Sequence, residues 1–235
     1  EADGYTPQVI AHVKDGIGWM VFSNPRRRNA VTFNMWLQIP GIIKQFEKDD
    51  SVRVVALRGE GTSSFISGAD ISEFAEKRNT PEQVATYDAA GKDAGAAIAG
   101  LLKPTVAVIR TWCVGGGLGT ALGCDLRIGP ANAAEIFYSA RQYTAQEAQR
   151  MGLINDILPV EGFDDAAENY LRTIAQNAPL TMKAVKMAIR GVLEQTNPAG
   201  LDDIDAAVSA CFQSDDYAEG RAAFAQKRTP VFKGR

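Results

Sequence analysis

Histidine is almost missing from this 235-residue chain, which has only His12. A histidine-based zinc site or a Ser-His-Asp triad would depend on that single imidazole as its ligand or base. His12 lies in an alternating stretch at residues 9–13, typical of an edge strand, where its side chain would face outward. The sequence therefore argues against a zinc enzyme and against a triad hydrolase, and we expect no metal site.

Cysteine and positive charge are also scarce. The three cysteines have no CxxC spacing, which favours reduced thiols and a cytoplasmic location. Lys and Arg total 25 against 28 Asp and Glu, a net charge of −3, so we expect neither nucleic acid nor a membrane as partner. A polyanionic ligand would need a local basic cluster, and Arg26-Arg27-Arg28 is one of the few present.

Long apolar runs are absent as well. No run approaches the roughly 18 residues of a membrane span, and the first residues do not have the pattern of a signal peptide. Hydrophobic residues nevertheless make up 46% of the chain, enough for a sizeable core. We expect one large domain, or one domain with a smaller appendage.

The order of elements predicts an α/β fold. Asp15-Gly16 predicts a hairpin turn, Thr32 a helix cap, and the β-branched run at residues 52–57 a buried strand. Helices alternate with strands up to about residue 160, and only helices follow. We therefore predict a core at residues 1–160 and a helical C-terminal region at residues 161–235.

Two glycine-containing segments follow predicted buried strands. They are Ser67-Gly68-Ala69-Asp70 and Gly115-Gly116-Gly117. Each places flexible backbone at the start of a helix, where unpaired N–H groups point outward, so one N–H from each could form an oxyanion hole. Taken alone, either segment could equally be a tight turn, and the phosphate-loop and dinucleotide patterns are not met.

Four motifs together resemble the crotonase superfamily, the enoyl-CoA hydratases and isomerases. They occur in the family's order and cover nearly the whole chain. They are Asn24-Pro25-Arg26-Arg27-Arg28-Asn29-Ala30, Phe65-Ile66-Ser67-Gly68-Ala69-Asp70-Ile71, the triple glycine with Gly123-Cys124-Asp125-Leu126, and the tail from Glu219 to Phe232. The fold implied is the crotonase-like spiral of ββα-type turns with a C-terminal helical region for oligomerisation.

The resemblance implies a role for each matching residue. The N–H groups of Ala69 and Gly116 would form the oxyanion hole for a thioester carbonyl. Coenzyme A would be part of the substrate, with no permanently bound cofactor, and a homotrimer or a dimer of trimers is implied. The CoA-binding positions would be Arg26, Ser67, Gly68, Asp70 and Ile71, completed by Phe224 and Lys227 of a neighbouring subunit.

Two departures from the family pattern bear on the reaction. The family's hydratases have a glutamate two residues after the triple glycine, where this chain has Gly119. The stretch holding the second glutamate has no counterpart, and roughly thirty residues are missing near residues 128–130, far more than ordinary loop variation. Either the stretch is deleted or the sequence omits an unseen segment, and we favour the omission.

Several functions remain compatible with these residues. We expect an acyl-CoA lyase or isomerase resembling enoyl-CoA hydratase/isomerase, since fold alone does not settle the reaction. Decarboxylation, dehalogenation and thioester hydrolysis use the same oxyanion hole in the superfamily. A different class of alternative is a catalytically impaired CoA-binding protein. A protease with a Ser-Lys or Ser-His pair is disfavoured, because neither glycine segment places a serine next to a base.

Overall fold

A six-stranded sheet forms the centre of the computed structural model, which describes residues 5–130, 144–193 and 198–235. The strands lie in the order β1-β2-β3-β5-β7-β8. β1 and β2 are an antiparallel hairpin, and the other neighbours are parallel. The bounds are β1 Gln8–Lys14, β2 Ile17–Ser23, β3 Val54–Gly59, β5 Thr105–Val108, β7 Leu126–Pro130 and β8 Asp156–Leu158.

A second, two-stranded parallel sheet is formed by β4 (Ser64–Ile66) and β6 (Trp112–Cys113). The first of these strands lies inside residues 59–68, a stretch rich in glycine and serine that is typical of a loop. Strands of three and two residues are too short to show a period, so they exist because of their pairing rather than their local pattern. This small sheet carries both glycine segments at its carboxyl end.

Helices fill the connections and the C-terminal part. Thr32 caps the first helix, its Oγ1 accepting from the Met35 N–H at 3.3 Å, and the helix continues through Pro40. Among the described residues, no helix is long and apolar enough to cross a membrane. The helices are α1 Phe33–Lys48, α2 Phe74–Lys77, α3 Pro81–Gly100, α4 Gly116–Leu122, α5 Ala145–Arg150, α6 Phe163–Ala175, α7 Pro179–Leu193, α8 Pro198–Gln213 and α9 Asp215–Gln226.

Alternate residues of β2 enter two different cores. Met20 and Phe22 face α1 and α3, while Trp19 and Val21 face α6, as the two-residue period of a strand requires. The first core reaches the glycine segments through Phe65 and Leu118 and their neighbours. The site described below is therefore built on the face of the sheet that α1 and α3 cover.

The C-terminal tail folds back onto α9. Glu219 accepts two hydrogen bonds from Arg228, at 2.6 and 2.8 Å, and a third from the Val231 N–H. Arg228 and that N–H hold the pKa of Glu219 down to about 2. Buried Asp216 accepts from the N–H groups of Lys233 and Gly234 in the same way. The tail motif that resembles the family therefore holds the end of the chain against α9 by hydrogen bonds.

The predicted missing segment lies next to residues outside the described ranges. Residues 128–130 belong to one continuous strand, β7, paired with β8. The omission of a segment there, and the division of the chain at residue 160, remain predictions. The helix α6, which belongs to the predicted C-terminal region, packs on the central sheet through Phe163, Ala167 and Leu171.

A buried lysine joins the C-terminal helices to the sheet. Lys186 of α7 donates to Asp125 Oδ2 at 2.6 Å and to the Lys103 carbonyl at 2.9 Å. The same Asp125 oxygen accepts from the Thr105 N–H and hydroxyl. Burial lowers the pKa of Lys186, and the Asp125 carboxylate opposes that shift. The aspartate of the Cys-Asp-Leu motif is therefore a structural anchor.

Replacing Lys186 by Met should lower the free energy of unfolding by about 2 kcal/mol, the usual worth of hydrogen bonds to charged groups. Urea unfolding would measure the loss. The control is Lys183→Met, because Lys183 is exposed on the same helix and should change stability by less than about 0.5 kcal/mol. Equal midpoints for the two variants would show that the Lys186–Asp125 contact does not hold α7 in place.

Candidate active site

The Asn24–Ala30 motif and the Ser67–Asp70 segment are locked together by backbone hydrogen bonds. The N–H of Ser67 donates to the Arg28 carbonyl, and the N–H of Val31 donates to the Gly68 carbonyl. The Asp70 N–H then donates to the Val31 carbonyl. Two of the sequence motifs are therefore one structural unit, which fixes where Ala69 lies.

Side chains reinforce this unit. The amide of Asn24 donates to the Ala30 carbonyl at 2.8 Å and to Asp70 at 3.3 Å. Arg27 contacts Asp70 at 3.4 Å, and Asp70 also caps the following turn through the Ser72 N–H. The Asp70 carboxylate is thus occupied by protein donors, so any contact it makes with CoA would come from its backbone.

The Ala69 N–H and the Gly116 N–H form no hydrogen bond within the described part of the chain. Gly116 is the first residue of α4, a position whose N–H has no partner within the helix. A Cβ placed on Gly116 would lie 3.9 Å from the Ala69 nitrogen. The two predicted donors are therefore neighbours, and both are free.

Glycine is required at two of the three positions of the triple glycine. Gly115 has φ +54°, and a Cβ on Gly117 would lie 2.3 Å from the Ile66 carbonyl oxygen. Gly116 is less constrained, since its Cβ would meet the Trp36 ring at 3.2 Å. The close packing of α4 on β4 is what brings the Gly116 N–H next to Ala69.

An aromatic wall lies beside this pair, and the sequence analysis did not predict it. Trp36 of α1 covers Gly116, and Phe33 stacks on Tyr87 of α3 with ring centres 5.6 Å apart. Phe74 meets the same Tyr87 ring edge-on at 5.8 Å. These residues come from three helices, so only the packing of α1, α2 and α3 reveals that they meet.

One carboxylate stands close to this wall. Glu73 accepts a hydrogen bond from the Phe33 N–H at 2.5 Å. Burial raises the pKa of Glu73, and that hydrogen bond works against the rise. Glu73 follows Asp70 by three residues in the sequence.

The predicted CoA-binding positions are spread over two regions. Arg26 lies in the exposed Pro25–Arg27 turn, its guanidinium 5.9 Å from the centre of the Tyr5 ring, and Ile71 is 75% exposed. Phe224 is 87% exposed on α9, and Lys227 ends that helix in a left-handed conformation. The roles of these residues stay predictions.

Phe224 lines a groove of about 620 Å³ between α7, α8 and α9, which we call the C-terminal groove. Its walls contain neither Ala69 nor Gly116, so within one chain it is separate from the predicted oxyanion hole. The apolar rim includes Val185, Val208 and Phe212.

Trp112 of β6 contacts the basic cluster at Arg26–Arg28. The Arg28 guanidinium lies 5.5 Å from the centre of the Trp112 ring, and this ring is 38% exposed. Thr111 adopts φ +59°, and its hydroxyl donates to the Ser63 carbonyl. Thr111 and Trp112 therefore help to shape the surface beside the Ser67–Asp70 segment.

Comparison with known proteins identifies the family of this chain. Two models described as enoyl-CoA hydratase/isomerase match residues 17–134 and 126–235. The chain belongs to the enoyl-CoA hydratase/isomerase family. The crotonase-like fold predicted from the motifs is confirmed by similar solved structures. One is an enoyl-CoA hydratase from Bacillus anthracis, 26% identical with a TM-score of 0.86, covering 97% of this chain and 99% of that one.

Curated members of the family are similar over most of their length. The short-chain-enoyl-CoA hydratase of Clostridium acetobutylicum is 26% identical, with 94% of this chain and 95% of that protein covered. The 2,3-dehydroadipyl-CoA hydratase of Escherichia coli is 27% identical, covering 92% and 94%.

The family comparison also concerns the missing stretch. The alignment with the Clostridium hydratase extends over 250 residues, more than the 235 of this whole chain. That hydratase therefore has residues with no counterpart here. The two family models meet at residues 126–134, around the join between strand and helix patterns.

Gly119, the other departure from the family's hydratases, lies inside α4 and is exposed. A Cβ there would meet no atom within 4 Å. Residues three apart on a helix lie on one face, so Gly119 shares a face with Gly116. A residue with a Cβ would therefore fit at this position without a clash at that atom, on the helix face that also carries Gly116.

Proposed function

We propose that this chain is an enzyme that binds an acyl-CoA and stabilises negative charge on the thioester oxygen between the Ala69 and Gly116 N–H groups. The observation that carries the proposal is that both N–H groups are unbonded and adjacent. Family membership supports acyl-CoA as the substrate class. An enolate oxygen held by two preorganised donors, one of them at a helix N-terminus, is stabilised where its charge develops.

The rest of the substrate would extend along the unit formed by the Asn24–Ala30 motif and the Ser67–Asp70 segment. Arg26 would approach a CoA phosphate, and the backbone of Ser67, Gly68, Asp70 and Ile71 would border the adenine. The N–H groups of Ser67 and Asp70 already donate within the protein, and the Asp70 carbonyl accepts from the Glu73 N–H, so the Ser67 carbonyl and the Gly68 N–H would make such contacts. The exposed Phe224 and Lys227 would complete the site of a neighbouring subunit in a trimer.

The reaction we favour is that of a lyase or isomerase on an enoyl-CoA, in the cytoplasm. Isomerisation needs a single base and is compatible with Gly119. The second candidate is a CoA-binding protein with impaired catalysis, and the empty space at Gly119 favours it. Screening acyl-CoAs for turnover alongside binding would separate the two.

Two ligands that differ only at the thioester carbonyl test the oxyanion hole. We expect butyryl-CoA to bind at least about tenfold more tightly than S-butyl-CoA, which has a methylene in place of the carbonyl, because two hydrogen bonds are lost. Isothermal titration calorimetry would give both dissociation constants. Equal affinities would rule out the oxyanion hole, and binding of neither ligand would rule out the acyl-CoA site.

A further inference from the structure

A buried phenol without an acceptor lies next to the predicted oxyanion hole. Tyr87 is 5% exposed, and its hydroxyl oxygen has no hydrogen-bond partner in the described part of the chain. Leaving a buried hydroxyl unsatisfied is costly, and native structures rarely do so without a reason. The ring itself is held firmly between Phe33 and Phe74.

The Trp36 and Arg78 side chains next to this phenol cannot accept a hydrogen bond from its hydroxyl group. Burial raises the pKa of Tyr87, while the nearby Trp36 indole N–H opposes the rise. That N–H lies beside the phenol without the geometry of a hydrogen bond, and an indole can only donate. Arg78 stands 5.5 Å from the ring centre and is also a donor only. Tyr87 is therefore a neutral donor at neutral pH.

Trp36 connects this phenol to the oxyanion hole. The Cζ2 atom of its indole is the atom that a Cβ on Gly116 would approach to 3.2 Å. In the indole ring, Cζ2 and the nitrogen are bonded to the same carbon, so one edge of a single side chain separates Gly116 from Tyr87. On the other side, Phe74 meets the Tyr87 ring edge-on at 5.8 Å, so the chain segment that follows Ala69 and Asp70 also borders this ring.

We propose that Tyr87 donates a hydrogen bond to an oxygen on the acyl chain, so that the substrates are acyl-CoAs with a hydroxyl, carbonyl or carboxylate a few carbons beyond the thioester. This inference rests on the proposed function, which places the thioester carbonyl at Ala69 and Gly116. The phenol oxygen has almost no solvent contact, so the acyl group meets it once the Trp36 edge has moved aside, a common kind of side-chain change on binding.

A site built to hydrogen-bond a substrate oxygen discriminates strongly against analogues that lack it, because its own polar group would then stay unpaired. Tyr87→Phe removes the hydroxyl alone. The matched control is Tyr170→Phe, since Tyr170 is a half-buried tyrosine on α6 that packs in the core on the opposite face of the sheet. The probes are butyryl-CoA, 3-hydroxybutyryl-CoA and 4-hydroxybutyryl-CoA.

In the wild type and in Tyr170→Phe, we expect one hydroxylated ligand to bind at least about tenfold more tightly than butyryl-CoA. Tyr87→Phe should abolish that preference while leaving butyryl-CoA affinity within about twofold. Its melting temperature should equal or exceed that of the wild type, because an unsatisfied hydroxyl has been removed.

Three results would overturn the inference. One is a wild type without preference for either hydroxylated ligand, and another is a preference that survives in Tyr87→Phe. The third is a melting temperature lowered by several degrees in Tyr87→Phe, which would reveal an internal partner for the hydroxyl. If butyryl-CoA itself does not bind the wild type, the proposed function fails and this inference fails with it.

Discussion

Replacing Gly116 by proline is expected to lower kcat by about a hundred- to a thousand-fold, the usual effect of removing one oxyanion-hole donor. Proline has no N–H, and the first position of a helix is the one where it is best tolerated. Gly116 is that position in α4. Gly115, which precedes it, has no Cβ to clash with the proline ring. The variant therefore removes the donor with little reason to unfold the helix.

The control for this experiment is Gly116→Ala. It keeps the N–H and adds a methyl group that would press on the Trp36 ring, 3.2 Å away. Any decrease in kcat in Gly116→Ala therefore measures the effect of crowding alone. Steady-state kinetics on a turned-over acyl-CoA would compare the two variants, with circular dichroism to check that both fold. If proline and alanine reduce kcat equally, the Gly116 N–H has no part in the reaction.

A binding measurement gives the same comparison without turnover. The affinity gap between butyryl-CoA and S-butyl-CoA should shrink in Gly116→Pro and persist in Gly116→Ala. Both readouts follow from one feature of the structure, namely that the Gly116 and Ala69 N–H groups are unbonded neighbours.

Local chemistry explains why so much of the scaffold could be predicted from the sequence. Asp15 and Gly16 both adopt positive φ, which is what their hairpin turn requires. Thr32 caps α1 as predicted, and Thr144 with Glu147 forms a capping box, a motif that four consecutive residues define. Each of these signals depends on a few adjacent residues, so it survives without knowledge of the fold.

The aromatic wall could not be predicted in that way. Trp36 and Tyr87 are far apart in sequence, and each looks like an ordinary apolar residue on its own helix. What makes them functional candidates is an unsatisfied hydroxyl and a contact with Gly116, both of which arise only when α1 and α3 pack against α4. The motifs predicted the hydrogen-bond donors, whereas the aromatic wall beside them depends on tertiary packing.

Slow hydration of crotonyl-CoA is the second large effect we expect. Hydration needs a water that is held and deprotonated while a proton reaches the α-carbon, and the family's hydratases share that water between two glutamates. In this chain Gly119 stands at the position of one of those two glutamates. A positioned acid or base contributes about a hundred- to ten-thousand-fold. The wild-type kcat/KM should therefore lie at least about a hundred-fold below the diffusional ceiling of ~10⁸ M⁻¹s⁻¹.

Gly119→Glu should raise crotonyl-CoA hydration at least about tenfold, because a positioned carboxylate can then act on the water. The structure allows the change: the position is exposed, has open space for a Cβ, and faces the same way as Gly116. The substitution also removes a helical glycine, so stability should not fall. Gly119→Gln, with the same shape and no titratable group, is the matched control and should leave the rate unchanged. The loss of absorbance of the conjugated thioester would give the rate of hydration by the wild type and by both variants. A wild type already near the ceiling, or equal gains from Glu and Gln, would show that another residue positions the water and that Gly119 is no handicap.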